Sequence, residues 1–91
     1  MGKIITLIDN VIVMPKPNTP EKIRFTKKFA LKVQKVRDSQ DISQEELAVK
    51  ARLNPAYISH IERGVYSPTL YVAWKIAKAL NVSLSELVKG L

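Results

Sequence analysis

The chain has 91 residues with fifteen Lys and Arg against eight Asp and Glu, a formal charge of +7. That length suits one domain with a modest core, not a core plus a catalytic or sensory domain, and the charge favours polyanions such as nucleic acid. No cysteine and a single histidine exclude a disulfide framework, a thiolate metal site and a zinc cluster, so packing must hold the fold.

The apolar run at 4–14 is too short for a membrane span and is broken by Asp9 and Asn10. No small-residue cleavage site follows it, so neither a membrane segment nor a signal peptide is expected, and a cytoplasmic protein is. Pro15-Lys16-Pro17-Asn18-Thr19-Pro20 forbids regular helix and favours an extended linker, which separates an arm and Pro-rich linker at 1–18 from a body at 19–91. In the arm, Ile4-Ile5-Thr6-Leu7-Ile8 and Val11-Ile12-Val13-Met14 flank Asp9-Asn10 at the spacing of a two-residue hairpin, and a single strand fits the same residues. A lone hairpin is marginal in water, so the arm should pack on the arm of a second subunit or on its own body, with disorder the remaining alternative.

From Thr19 onward the pattern predicts five helices. The first starts at Thr19-Pro20-Glu21 or, in a shorter form, at Thr26, and its buried stripe is Phe29, Val33 and Val36. The second opens on a capping box, Ser43 and Glu46, in which hydroxyl and carboxylate each take up an orphaned backbone donor. The third opens at Asn54-Pro55 and closes at Gly64, and the fourth spans about 69–80 with Leu70, Ala73, Ala77 and Leu80 on one side. The fifth begins with a second expected box, Ser83 to Glu86, and carries Leu84, Leu87, Val88 and Leu91.

Residues 27–89 resemble the phage-repressor and Cro family of helix-turn-helix proteins, often called Xre-type regulators. The resemblance rests on Gln44, Leu47 and Ala48 in the first helix of the motif, on Leu53, Ile58 and Ile61 in the turn and second helix, and on the run Ile76-Ala77-Lys78-Ala79-Leu80-Asn81-Val82-Ser83. It implies an all-α, five-helix, lambda-repressor-like DNA-binding domain, here with an N-terminal extended or β arm. The turn departs from the family pattern, since Arg52 stands where the family has glycine. A positive φ there would cost an arginine about 1 kcal/mol.

With Ile58 and Ile61 turned inward, the third helix presents Asn54, Pro55, Ala56, Ser59, His60 and Arg63 outward, with Tyr57 at the edge. The resemblance implies base contact from Pro55, Ala56, Ser59 and His60. Proline and alanine offer only apolar contact, so hydrogen-bonded readout would fall on Ser59 and His60, with Asn54 or Tyr57 assisting. Asn54 also suits an N-cap, Tyr57 a core contact and His60 a solvated surface position; a metal or catalytic role for His60 lacks partners. The resemblance places phosphate contacts at Gln44, the leading candidate, and in the loop after the third helix, where Arg63, Ser67 and Thr69 stand, with Lys50 and Arg52 near the turn assisting. Ser67 and Thr69 suit turn and cap duties as well. The resemblance further implies a structural ion pair between Arg37 and Glu62.

Residues 1–35 carry +6 of the +7, so Lys22, Arg24, Lys27, Lys28, Lys32 and Lys35 either extend a DNA footprint or form a solvated helix face. One recognition helix reads only a few base pairs, and a homodimer on a palindrome doubles the site. Trp74, Leu84, Leu87, Val88 and Leu91 are the candidate dimer interface, with core packing the alternative for Leu84 and Leu87 and the arm a rival dimer element. The expected function is a sequence-specific transcriptional regulator binding double-stranded DNA through 54–63; within the family its size resembles restriction-modification controllers, phage switches and antitoxin-type autoregulators. The alternative is a protein-interaction module, antitoxin-like or polymerase-contacting, with vestigial DNA binding. No credible nucleophile with a base, paired carboxylates or phosphate-cradling loop supports an enzyme, and no cofactor, metal, membrane or small-molecule ligand is expected.

Overall fold

A computed structural model describes residues 19–91; the expected arm and Pro-rich linker at 1–18 lie outside them. Among the described residues there are five helices and no strand: α1 (Pro20–Ser39), α2 (Gln44–Ala51), α3 (Pro55–Glu62), α4 (Leu70–Ala79) and α5 (Leu84–Val88). None is long and apolar enough to cross a membrane.

Each helix begins where a short polar side chain can take up an orphaned backbone N–H. Thr19 accepts from the Lys22 amide at 3.2 Å with Pro20 following, whereas Thr26 is buried inside α1, so the longer first helix forms. Ser43 and Glu46 close their box in both directions, at 3.0 and 2.8 Å. Asn54, Thr69 and Ser83 cap α3, α4 and α5. At Ser83 only half of the expected box exists: the hydroxyl accepts from the Glu86 amide, and no return bond from the Glu86 carboxylate forms.

The helices enclose one core, built from Phe29 and Val33 of α1, Leu47 and Ala48 of α2, Ile58 and Ile61 of α3, Ala73, Ile76 and Ala77 of α4, Leu80 and Leu87. Burying each of the large aliphatic side chains contributes about 1.5–3 kcal/mol. The missing volume at Ala48, itself fully buried, lets α2 and α3 approach closely. Two expectations are corrected. Leu70 is 74% exposed, because it is the first residue of α4 and precedes the turn that meets the core; the stripe instead runs through Ala73, Ile76, Ala77 and Leu80. Leu87, a candidate for the dimer interface, is fully buried in its own chain, which is the core-packing alternative, while Leu84 and Leu91 pack partly against the same core. Of the apolar residues of α5, Val88 alone is exposed.

The turn between α2 and α3 takes a left-handed residue without a glycine. Arg52 adopts the left-handed conformation at φ 56°, ψ 48°, and the Leu53 amide donates to the Ala48 carbonyl at 2.9 Å. The strained residue is offset by what it accomplishes: the Arg52 and Leu53 amides take up the Ala48 and Val49 carbonyls while the chain turns into α3.

Candidate nucleic-acid interface

Helix α3 is short, and its inner face is set by sequence period: Ile58 and Ile61, three residues apart, are both fully buried. Asn54, Pro55, Ala56 and Arg63 are consequently exposed, with Tyr57, Ser59 and His60 half-buried along the flank. The expected outward set therefore lies on one accessible edge. Asn54 accepts from the Ala56 amide at 2.7 Å through Oδ1, which uses its carbonyl and leaves its amide N–H groups to donate outward.

A charged clamp holds the far end of α3 from behind. Arg37 Nε and Nη2 donate to the two carboxylate oxygens of Glu62 at 2.7 and 2.9 Å, a bidentate pair, and Nη1 donates to the Ile42 carbonyl at 2.8 Å. Gln44 Nε2 donates to Glu62 Oε1 at 3.0 Å, and Gln34 Nε2 to the Glu62 backbone carbonyl. Arg37 and Glu62 side chains are only 14% and 2% exposed. The hydrogen bond to Glu62 raises the Arg37 pKa above its already high ordinary value; burial opposes this, and the nearby charges of Glu62, Asp38 and Glu45 add to it. The ion pair expected between Arg37 and Glu62 is thus present, and the Gln44 bond to the same carboxylate ties the first residue of α2 to the last residue of α3. Gln44 keeps one N–H beyond the bond to Glu62, so the clamp aims the side chain without exhausting it.

The loop after α3 turns at Gly64, φ +73°, where the Val65 amide donates to the His60 carbonyl at 3.0 Å. A Cβ at Gly64 would sit 3.4 Å from Lys27 Cγ, so glycine serves both the turn and the approach of α1. This brings Lys27 beside Arg63, on a shallow groove that also includes Gln34 and Glu62. Ser67 and Thr69 are exposed further along, Thr69 as the α4 cap.

Tyr66, like Gln34 of the clamp, is absent from the residues expected from sequence. Its ring meets Tyr57 edge-on at 5.2 Å between centroids and His60 at 5.7 Å, so the loop braces two candidate base-reading side chains. An aromatic two residues after the helix-ending glycine was the available signal. Two other expected phosphate contacts stand apart: Lys50 and Arg52 line a second groove with Tyr71, Trp74, Lys75 and Lys78 of α4. Trp74, expected in a dimer interface, faces this groove, stacked on Tyr71 and capped by Lys78.

Two helices crossing over a small buried alanine, joined by a left-handed turn, with the second presenting an open polar edge, define the helix-turn-helix class of DNA-binding domain. A family model described as helix-turn-helix matches residues 33–87, and the chain belongs to that family of transcriptional regulators. It is 43% identical over 61 residues to the control protein C.BamHI of Bacillus amyloliquefaciens, covering 66% of this chain and 75% of the relative. It is 35% identical over 54 residues to the HTH-type transcriptional regulator y4dJ of Sinorhizobium fredii, covering 59% and 70%. Among solved structures, the restriction-modification controller protein C.AhdI of Aeromonas hydrophila superposes with a TM-score of 0.67 at 32% identity, covering 68% of this chain and 94% of that one.

Proposed function

We propose that this chain is a sequence-specific regulator that reads a palindromic operator as a homodimer, with α3 in the major groove, in the manner of a stand-alone restriction-modification controller. The observation that carries the reading is the anchoring of α3 by the Arg37–Glu62–Gln44 clamp while its opposite edge stays open. Likeness to C.BamHI and C.AhdI supports the controller role, because their lengths are largely accounted for by this same domain.

In this reading Ser59 and His60 donate to or accept from base edges, Asn54 and Tyr57 assist, and Pro55 and Ala56 meet a thymine methyl or a sugar. Gln44, Arg63, Ser67 and Thr69 bind phosphate oxygens on either side of the groove and fix the register. Lys27, placed beside Arg63 and Gly64, lengthens that line of contacts. The second subunit pairs through the outer face of α5, where Val88 and the uncovered edges of Leu84 and Leu91 remain. The protein acts where the chromosome is, in the cytoplasm.

Selection of bound sequences from a random duplex pool tests the proposal, and a two-fold symmetric consensus is expected. On that consensus, His60→Ala and Ser59→Ala lose roughly 1–3 kcal/mol at particular base pairs only. Gln44→Ala weakens binding to every duplex alike. A pool that yields no consensus, or an equal loss on all sequences from all three variants, overturns the role assignments.

A further inference from the structure

We propose that the groove between the C-terminal end of α2 and α4 is a docking site for an acidic segment of a partner protein, separate from the DNA-reading edge. The groove has a volume of about 380 Å³ and is lined by Lys50, Ala51, Arg52, Tyr71, Trp74, Lys75 and Lys78. Four of its seven side chains are cationic and none is acidic. Tyr71 is 63% and Trp74 43% exposed, with their rings stacked at 6.0 Å and 25°.

The arrangement selects among occupants. Lys78 Nζ stands 4.5 Å from the Trp74 ring centre and Lys75 Nζ 5.4 Å from that of Tyr71, while Lys75 also donates to the Arg52 carbonyl at 3.3 Å. Each exposed ring is therefore engaged by its neighbour ring and by an ammonium, so a nucleobase would have to displace these contacts in order to stack. A second copy docking groove to groove would bring four cations against four, which disfavours self-pairing. Carboxylates interleaved with apolar side chains suit both components: the ammoniums are already gathered and partly ordered, and the ring edges offer apolar surface between them. Because α2 is eight residues long, its Lys50 end lies about 9 Å along the axis from the Gln44 end. A partner held there need not cover the clamp.

Trp74 is the single tryptophan of the chain, so its fluorescence reports occupancy directly. The whole chain is titrated with an acetylated peptide of alternating Glu and Leu, and in parallel with its Gln-for-Glu counterpart. The expected result is a saturable spectral change with the Glu peptide alone, weakened at least tenfold in a Lys75→Gln, Lys78→Gln double variant. A Lys35→Gln, Lys89→Gln variant, with the same net charge, should change affinity less than twofold. Equal weakening in both variants, or no saturable change, overturns the proposal. So does a tenfold loss of duplex DNA affinity in the Lys75, Lys78 variant, which would place the groove in the DNA footprint. Conversion of that variant to a smaller species in sedimentation would assign the face to a second copy and likewise overturn it.

Discussion

The two ends of α2 are built on opposite principles. At Gln44 the helix is tied to the end of α3 through a nearly buried carboxylate that receives three hydrogen bonds from side chains, two of them from a guanidinium. At Arg52 it is closed by a residue in a left-handed conformation, exposed and joined to α4 by one long lysine bond. The first end fixes the angle at which α3 is presented and is costly to alter. The second is closed by local backbone bonds from Arg52 and Leu53 to the last turn of α2, at the cost of strain at one residue.

The sharpest way to break this contrast is Arg37→Met, which leaves Glu62 charged and buried among groups that no longer neutralise it. A loss of about 3–5 kcal/mol is expected, read as a fall in the urea midpoint at unchanged slope. A loss below about 1 kcal/mol would mean that water replaces the guanidinium and that the Gln44 end is no firmer than the other. An intermediate effect is expected from Asn54→Ala, which removes the cap on the Ala56 amide at a cost of about 1 kcal/mol. The smallest effect has the opposite sign. Arg52→Gly releases the positive φ, and stability should rise by at most roughly 0.5 kcal/mol after the added freedom of glycine in the unfolded chain is set against it. A thermal melt distinguishes the three, and destabilisation by Arg52→Gly would show that the arginine side chain, not the turn, secures that end.

Much of the fold was legible because helix starts are local chemistry. Thr19-Pro20, Ser43 with Glu46 and Asn54-Pro55 each satisfy backbone donors within three residues, so the sequence carries the signal and the fold confirms it. The outward edge of α3 followed from period alone once Ile58 and Ile61 were assigned inward. What escaped depends on how separate helices dock. The periodicity of α5 gives an apolar side but does not say whether that side meets its own core or a partner, and Leu87 lies in its own core. Likewise the meeting of Lys50 and Arg52 with Tyr71 and Trp74 joins residues some twenty positions apart, beyond the reach of any local pattern. Tyr66 falls between these cases: its position after Gly64 was visible, but its contact with Tyr57 and His60 requires the loop to fold back.

The guanidinium of Arg37 reaches three segments at once: its own helix, the connection at Ile42, and the last turn of α3 at Glu62. Segments stapled through one group cannot fray independently, since freeing any of them strands the charge in the other two. Slow amide exchange at the end of α3 and in the connection before α2 should therefore rise and fall as one cooperative unit, and the recognition element inherits the lifetime of the whole bundle, not that of an eight-residue helix.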